Sequence, residues 1–343
     1  MPKPAEQEEM MKLFALVLVA VCTLAPFHGI VAAATSQATP ATAVESYPAR
    51  PLRIIIPYPP GGTSDILARL IGSKLTENWK QQVIVDNRTG ANGNIGLELG
   101  ARATPDAHTF VLTDIGNAVS NSILYAKLPF HVLKDFSPVT TVSYSPHMLM
   151  TTMKLPVSTP EELIAYAKAR PGKLNYPTGL GGAPHLAGLS FAQRAGINWV
   201  YVPTKGGASS VAAMMAGEGD VMFLGMLQSL PHVNAGRLKL IAISSEKRLP
   251  THPKVPTVGE TFPGFVTGSW QGILAPARTP PELVAKLNAE IARILKLPDV
   301  ITFLNSQGTT PMGNSPQETR KWLTDETARW TKVINESGFK LEQ

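Results

Sequence analysis

From Arg50 onward the chain alternates between short apolar, β-rich runs and longer stretches whose apolar residues recur at helical spacing. RIIIPY (53–58) precedes DILARLIGSKLTENW (65–79); QQVIVDN (81–87), NIGLELGARA (94–103) and TFVLTD (109–114) follow at short intervals. Strand, helix, strand, helix, strand predicts a parallel sheet covered by helices. The rhythm restarts with EELIAYAKA (161–169), KLNYPTG (173–179), HLAGLSFAQRAG (185–196), NWVYVP (198–203), ASSVAAMMAG (208–217), DVMFLGM (220–226) and LKLIAISS (238–245). A chain of 343 residues exceeds one compact core, and two similar lobes are expected.

PHMLMTTMKLP (146–156) reads as a strand leaving the first lobe and GSWQGILAP (268–276) as one returning. Lobe 1 is then 47–150 plus 268–343, lobe 2 is 151–267, and the hinge falls at the two crossings. Two amphipathic helical stretches in the tail, each with proline near its start, are placed on lobe 1. No repeat of solenoid or propeller period is visible.

Three of the predicted strand ends meet glycine before the next helix: PYPPGGTSD (57–65), TGLGGAPH (178–185) and VPTKGGAS (202–209). Glycine lets the backbone turn tightly there, and the first amides of the helix then point outward without partners. With the helix dipole added, such an end holds anions. One such loop alone reads as a plain strand-to-helix turn, but three together point to an anion site.

The candidate ligand-binding residues follow from these loops. Tyr58, Gly61, Gly62, Thr63 and Ser64 offer amides and hydroxyls; Asp65 either orients the loop as a first-turn acid or meets an amino group or proton on the ligand. Gly181, Gly182 and Ala183 offer amides, while His185 either donates to the ligand or packs at the lobe edge. In the third loop stand Thr204, Lys205 and Gly206, with Lys205 either pairing with a carboxylate or solvated. Asn117 sits where a strand ends near the cleft, as do Trp270 and Gln271 at the return crossing; Asp220 is either a turn residue or a ligand group.

The N-terminus changes the picture of where the chain works. Lys12 and LFALVLVAVCTLA (13–25), a break at Pro26, and VAAA (31–34) have the form of a Sec signal peptide over 1–34, followed by a small, polar, flexible linker over 35–49. Export to the periplasm is expected. Translation starts at Met1, Met10 or Met11, since PKPAEQEE (2–9) is acidic for a signal sequence. Cys22, the single cysteine, lies inside the apolar run, so the processed chain has no disulfide.

Composition removes several functions. Hydrophobic residues make up 44% and charged residues 16%, which excludes a disordered chain; the formal charge of +6 is scattered, with no basic run for nucleic acid. No GxSxG elbow and no lysine of a nucleotide-binding loop occur, and the seven histidines lack metal-ligand spacing. No catalytic residue, no metal and no cofactor are assigned.

ARPLRIIIPYPPGGTSDILARLIGSKL, VDNRTGANGNIGLELGARATPDAHTFVLTD, LPFHVLKDFSPVT, GGAPHLAGLSF and VPTKGGASSVAAMMAGEGDVMF, together with the helical tail, resemble the Bug-type periplasmic solute-binding proteins of tripartite tricarboxylate transporters. The resemblance implies an α/β, two-lobed Venus-flytrap fold, its lobes joined by two crossing segments. It also implies a monomer that closes on a small organic anion, a mono-, di- or tricarboxylate or an aromatic acid, and hands it to inner-membrane transporter subunits. The family's carboxylate site matches Gly61, Gly62, Thr63 and Gly181, Gly182, Ala183. Two departures, Gly182-Ala183 where a hydroxyl residue is common and Thr204 where tyrosine is usual, imply a wider or less polar pocket. The alternative is a periplasmic enzyme or a sensor acting on the same anion, which recovery of chemically unchanged ligand would exclude.

Overall fold

The computed structural model describes residues 44–125 and 127–337, so the expected leader and residues 35–43 of the expected linker lie outside them. The packed chain begins earlier than Arg50. Tyr47 is buried, donates its hydroxyl to the Ala107 carbonyl (2.9 Å) and sits edge-on to Trp79 and His108, while Lys286 holds the Val44 carbonyl. Residues 44–49 are thus docked instead of belonging to a flexible linker.

β1 (Leu52–Ile56) is apolar on both faces, as a strand covered on two sides must be. α1 (Thr63–Trp79) buries Leu67, Ala68, Ile71 and Leu75 along one stripe and ends at Lys80 in the left-handed conformation. β2 (Val83–Asn87), α2 (Asn94–Ala101), β3 (Thr109–Asp114) and α3 (Ile115–Leu124) complete the first alternating set. β1 runs parallel to both β2 and β3, as the pattern predicts.

The sheet as a whole is mixed, not parallel. β4 (Phe136–Thr152), 17 residues long, runs from this lobe into the next, and the second set follows: α4 (Pro160–Lys168), β5 (Asn175–Thr178), α5 (Ala183–Ala195), β6 (Val200–Pro203), α6 (Gly207–Ala216), β7 (Val221–Gly225), α7 (Met226–Asn234) and β8 (Leu238–Ile243). β9 (Gly268–Pro276) then re-enters from the far end, and so pairs antiparallel with both β3 and β4. Near its other end β4 is antiparallel to β7 and β8, while β5 and β6 are parallel. The tail helices α8 (Pro281–Leu295), α9 (Pro298–Ser306) and α10 (Pro316–Ser337) pack on the first sheet, with the two-residue β10 (Thr310–Pro311) against β4.

The expected strand 220–226 needs one correction. It stops at Gly225, and Met226 opens a nine-residue helix that the pattern hides because Pro231 stands inside it.

Two large apolar clusters form most of the core, with Leu227 of α7 joining the first and Leu186 of α5 meeting Leu124 and Ile334. Ile54, Leu67, Ile71, Leu287 and Ile291 belong to one; Leu149, Tyr176, Phe191, Phe223 and Phe265 belong to the other. At the crossings His147, Ser244 and Thr267 form a buried polar knot. The Ser244 hydroxyl reaches the carbonyls of His147 (3.0 Å) and Thr267 (2.7 Å), and His147 Nδ1 lies 3.1 Å from Thr267 Oγ1. Burial drives the His147 imidazole down to about 3, so it is neutral and binds by hydrogen bonds alone.

Candidate functional site

Five helices begin around one cavity of about 60 Å³, and each follows directly on a strand or a strand-to-helix loop. Gly62, Asp114, Gly182, Gly206 and Gly225 are the residues that precede α1, α3, α5, α6 and α7, and all five positions line it. Sequence reasoning found three of these ends. The other two carry the same signal in weaker form: a strand ending in the helix-capping acid Asp114, and Gly225 as the last residue of β7.

The glycines divide the work. Gly61, Gly181 and Gly206 have φ of +81°, +83° and +135°, which only glycine adopts without strain, so they make the turns. Gly62 and Gly182 have ordinary φ values of −77° and −72° and serve instead as caps without side chains. A serine, threonine, aspartate or asparagine cap would take an amide of the first turn for itself.

The ends differ in how much remains open. No side chain caps α1 or α6. At α5 the Ala183 amide is taken by Asn117 Oδ1 at 2.6 Å, and at α7 the Met226 amide is taken by Ser145 Oγ at 3.0 Å. The α3 end is closed by Asp114, whose Oδ1 accepts from the amides of Gly116 and Asn117. The Gly182 amide donates to the Gly179 carbonyl at 3.0 Å, which withdraws it from the set of free ligand amides that the glycine pattern suggests.

Side chains fill the rest of the wall with amides and hydroxyls. Asn117 Nδ2 donates to the Tyr58 hydroxyl at 3.1 Å, and Ser64 Oγ donates to Gln271 Oε1 at 2.6 Å. Gln271 Nε2 and Ser269 Oγ both turn to Asp114 Oδ2, at 3.4 and 2.6 Å. Burial pushes the Asp114 carboxyl up to about 6, against the pull of the Ser269 hydroxyl and the amides of Asn117 and Gly116. Two polar atoms of lining residues, Thr63 Oγ1 and Gln228 Oε1, are shielded from solvent and meet no hydrogen-bond partner. Among the described residues no lysine or arginine lines the cavity.

Of the residues expected from sequence, Tyr58, Gly62, Thr63, Ser64, Asn117, Gly182, Gly206 and Gln271 are on the wall. The others are not. Gly61 and Asp65 stand behind it: Asp65 accepts from the Gly61 amide at 3.0 Å, from Asn87 and from the Arg69 guanidinium. Burial raises its carboxyl, but the Arg69, Gly61 and Asn87 bonds outweigh that and hold it below the usual range. Asp65 therefore orients the loop. Gly181 and His185 bond to each other, amide to Nδ1 at 3.2 Å, and the ring packs edge-on against Tyr201, driven by burial down to about 4.

Ala183 is satisfied by Asn117, Thr204 bonds to Ser210 at 2.8 Å, and Lys205 is exposed off the wall. Asp220 is displaced furthest. Its carboxylate takes the Asn175 amide at 2.8 Å at the start of β7, whereas the cavity is at that strand's other end, roughly 17 Å away at 3.3 Å per residue. Sequence reasoning missed Asn92, Asp114, Thr178, Ser210, Gln228 and Ser269 as wall residues. Strand-end position marks Asp114, Thr178 and Ser269; nothing local marks Gln228.

Comparison with known proteins gives a consistent neighbourhood. Residues 67–339 match the family described as tripartite tricarboxylate transporter family receptor. Protein BugT of Bordetella pertussis is 35% identical over 317 residues, covering 92% of this chain and 97% of that one. Among solved structures, R. palustris Rpa4515 with adipate superposes with a TM-score of 0.83 at 34% identity, over 85% of this chain and 98% of the other. MatC (Rpa3494) from Rhodopseudomonas palustris with bound malate gives 0.79 at 30%, over 84% and 100%.

Proposed function

We propose that this chain, which belongs to the tripartite tricarboxylate transporter receptor family of periplasmic solute-binding proteins, captures a small organic carboxylate in the five-helix cavity and passes it, unchanged, to a membrane transporter. One observation supports the carboxylate above the others. Helices α1 and α6 reach a buried cavity with no side-chain cap, in a wall that offers an anion no basic side chain. Bare first-turn amides are then the only concentrated positive potential available to a ligand.

The carboxylate is placed on the amides of Thr63 and Ser64, the Thr63 hydroxyl and the first turn of α6, and the Asp65–Gly61 bond holds the first loop in shape for it. The adipate and malate bound by the two Rhodopseudomonas proteins support the same ligand class here. The leader in the sequence supports a periplasmic location, and among the described residues no helix is long and apolar enough to cross a membrane.

The lobes are divided at the crossings, 47–150 plus 268–343 against 151–267, with closure pivoting near 146–151 and 268–272. Titration calorimetry of mono-, di- and tricarboxylates beside their neutral amides is the deciding experiment. Acids are expected to bind and amides not; equal binding of an acid and its amide would reject the anion site.

A further inference from the structure

We propose that the cargo is an acid presenting one carboxylate to the bare helix ends and one hydrogen-bond donor, a hydroxyl or an ammonium, to the carbonyl Oε1 of Gln228. The inference rests on the carboxylate reading above and narrows it to a substrate class.

Gln228 lies in the first turns of α7, where its neighbour Leu227 is anchored in the core of the first lobe. Its side-chain amide crosses to the two uncapped helix starts. A Cβ placed on Gly207 would collide with the Gln228 amide, and one placed on Gly62 would lie 3.5 Å from Oε1. Gly207 thus leaves the space in which the amide lies, and Gly62 stands beside it. Its Oε1 is shielded from solvent and has no donor. A carbonyl oxygen in that state requires an N–H or O–H from whatever fills the cavity. The other orphan, the Thr63 hydroxyl, can donate, so it serves the carboxylate, and Gln228 is left to read the remaining group.

The charge of the wall argues the same way. Asp114 brings a carboxyl group to the cavity, buried among Ser269, Gln271 and the α3 amides, and no lysine or arginine of the wall faces it. A second carboxylate on the cargo would meet a carbonyl oxygen and an acid, with no cation to offset either. A hydroxyl or ammonium meets acceptors.

Three-carbon probes isolate the two recognised groups, since lactate and alanine differ from propionate only at the carbon that carries the donor. Calorimetry should compare propionate, lactate, alanine, lactamide, succinate and adipate on the wild-type protein and on Gln228→Met. Lactate or alanine is expected to bind at least tenfold more tightly than propionate, and the ratio is expected to fall below threefold in Gln228→Met. A merely structural role for Gln228 would weaken all acids together and leave that ratio intact, which overturns the proposal. Tightest binding by succinate or adipate, or equal binding of propionate and lactate, also overturns it while leaving the carboxylate site standing. Equal binding of lactate and lactamide, or binding of none of the acids, rejects the carboxylate site itself.

Discussion

At the scale of single residues, two buried titratable groups act on stability with opposite sign. Asp114 is raised from 3.8 to about 6, so as pH rises between those values the unfolded chain releases its proton first and stability falls; the deficit is complete above about 6. About two units correspond to about 3 kcal/mol. Asp114→Asn keeps an oxygen to cap α3, and its stability advantage over wild type is expected to grow by about 2–3 kcal/mol between pH 4 and 7 in urea melts. No growth would show that the acid is not desolvated. His147 works the other way: lowered from 6.5 to about 3, it supports the fold fully above 6.5 and loses that support as pH falls toward 3. His147→Gln should flatten the acid limb of the stability curve, by about 3–5 kcal/mol, and an unchanged limb would shift the cause elsewhere. Neither residue was legible as a buried titrating group in the sequence, because strand position says where a side chain sits but not what surrounds it. Asp65 was half legible: a first-turn acid is recognisable, and only the Arg69 and Asn87 partners decide that it braces the loop.

At the scale of elements, the helix starts show function set against stability. A capping side chain typically adds about 0.5–2 kcal/mol over alanine, but only a few tenths over glycine, so leaving α1 bare costs the fold little and leaves its amides open. Gly62 has cap-compatible backbone angles and ordinary room for a Cβ. Gly62→Asp is therefore expected to raise stability by about 0.3–1 kcal/mol through the cap and the dipole, while reducing carboxylate affinity at least a hundredfold, since its own carboxylate occupies the anion position. Thermal melts and calorimetry on the same sample check both halves; a variant that binds normally would place the anion away from α1. By contrast Gly61→Ala, at φ +81°, should cost about 1 kcal/mol in a melt with no gain to offset it. The glycine pairs were readable because a strand end, two glycines and a helical stripe lie within a dozen residues. The start of α7 was not, since the proline at 231 masks the period and Gln228 reaches the cavity only through tertiary packing.

At the scale of the whole molecule, the alternation of runs made both α/β lobes legible, and the two crossings could be found as strands with no helix of their own between the sets. The mixed sense of the first sheet was hidden, since direction depends on which end a returning strand enters. Ligand is expected to reduce the radius of gyration seen by small-angle scattering, because groups from both lobes line the one cavity; an unchanged radius would mean that the cleft does not close on its cargo. The knot of His147, Ser244 and Thr267 limits the form such closure can take. β4 passes through it as one unbroken strand, with ladder partners before and after, and its register irregularities fall on either side, at 138–143 and 149–150. Such a strand is a leaf spring, not a pin joint. It yields by twisting along its length, most at the bulges. The swing of one lobe is then limited by how far β4 can be wound before its ladder hydrogen bonds part.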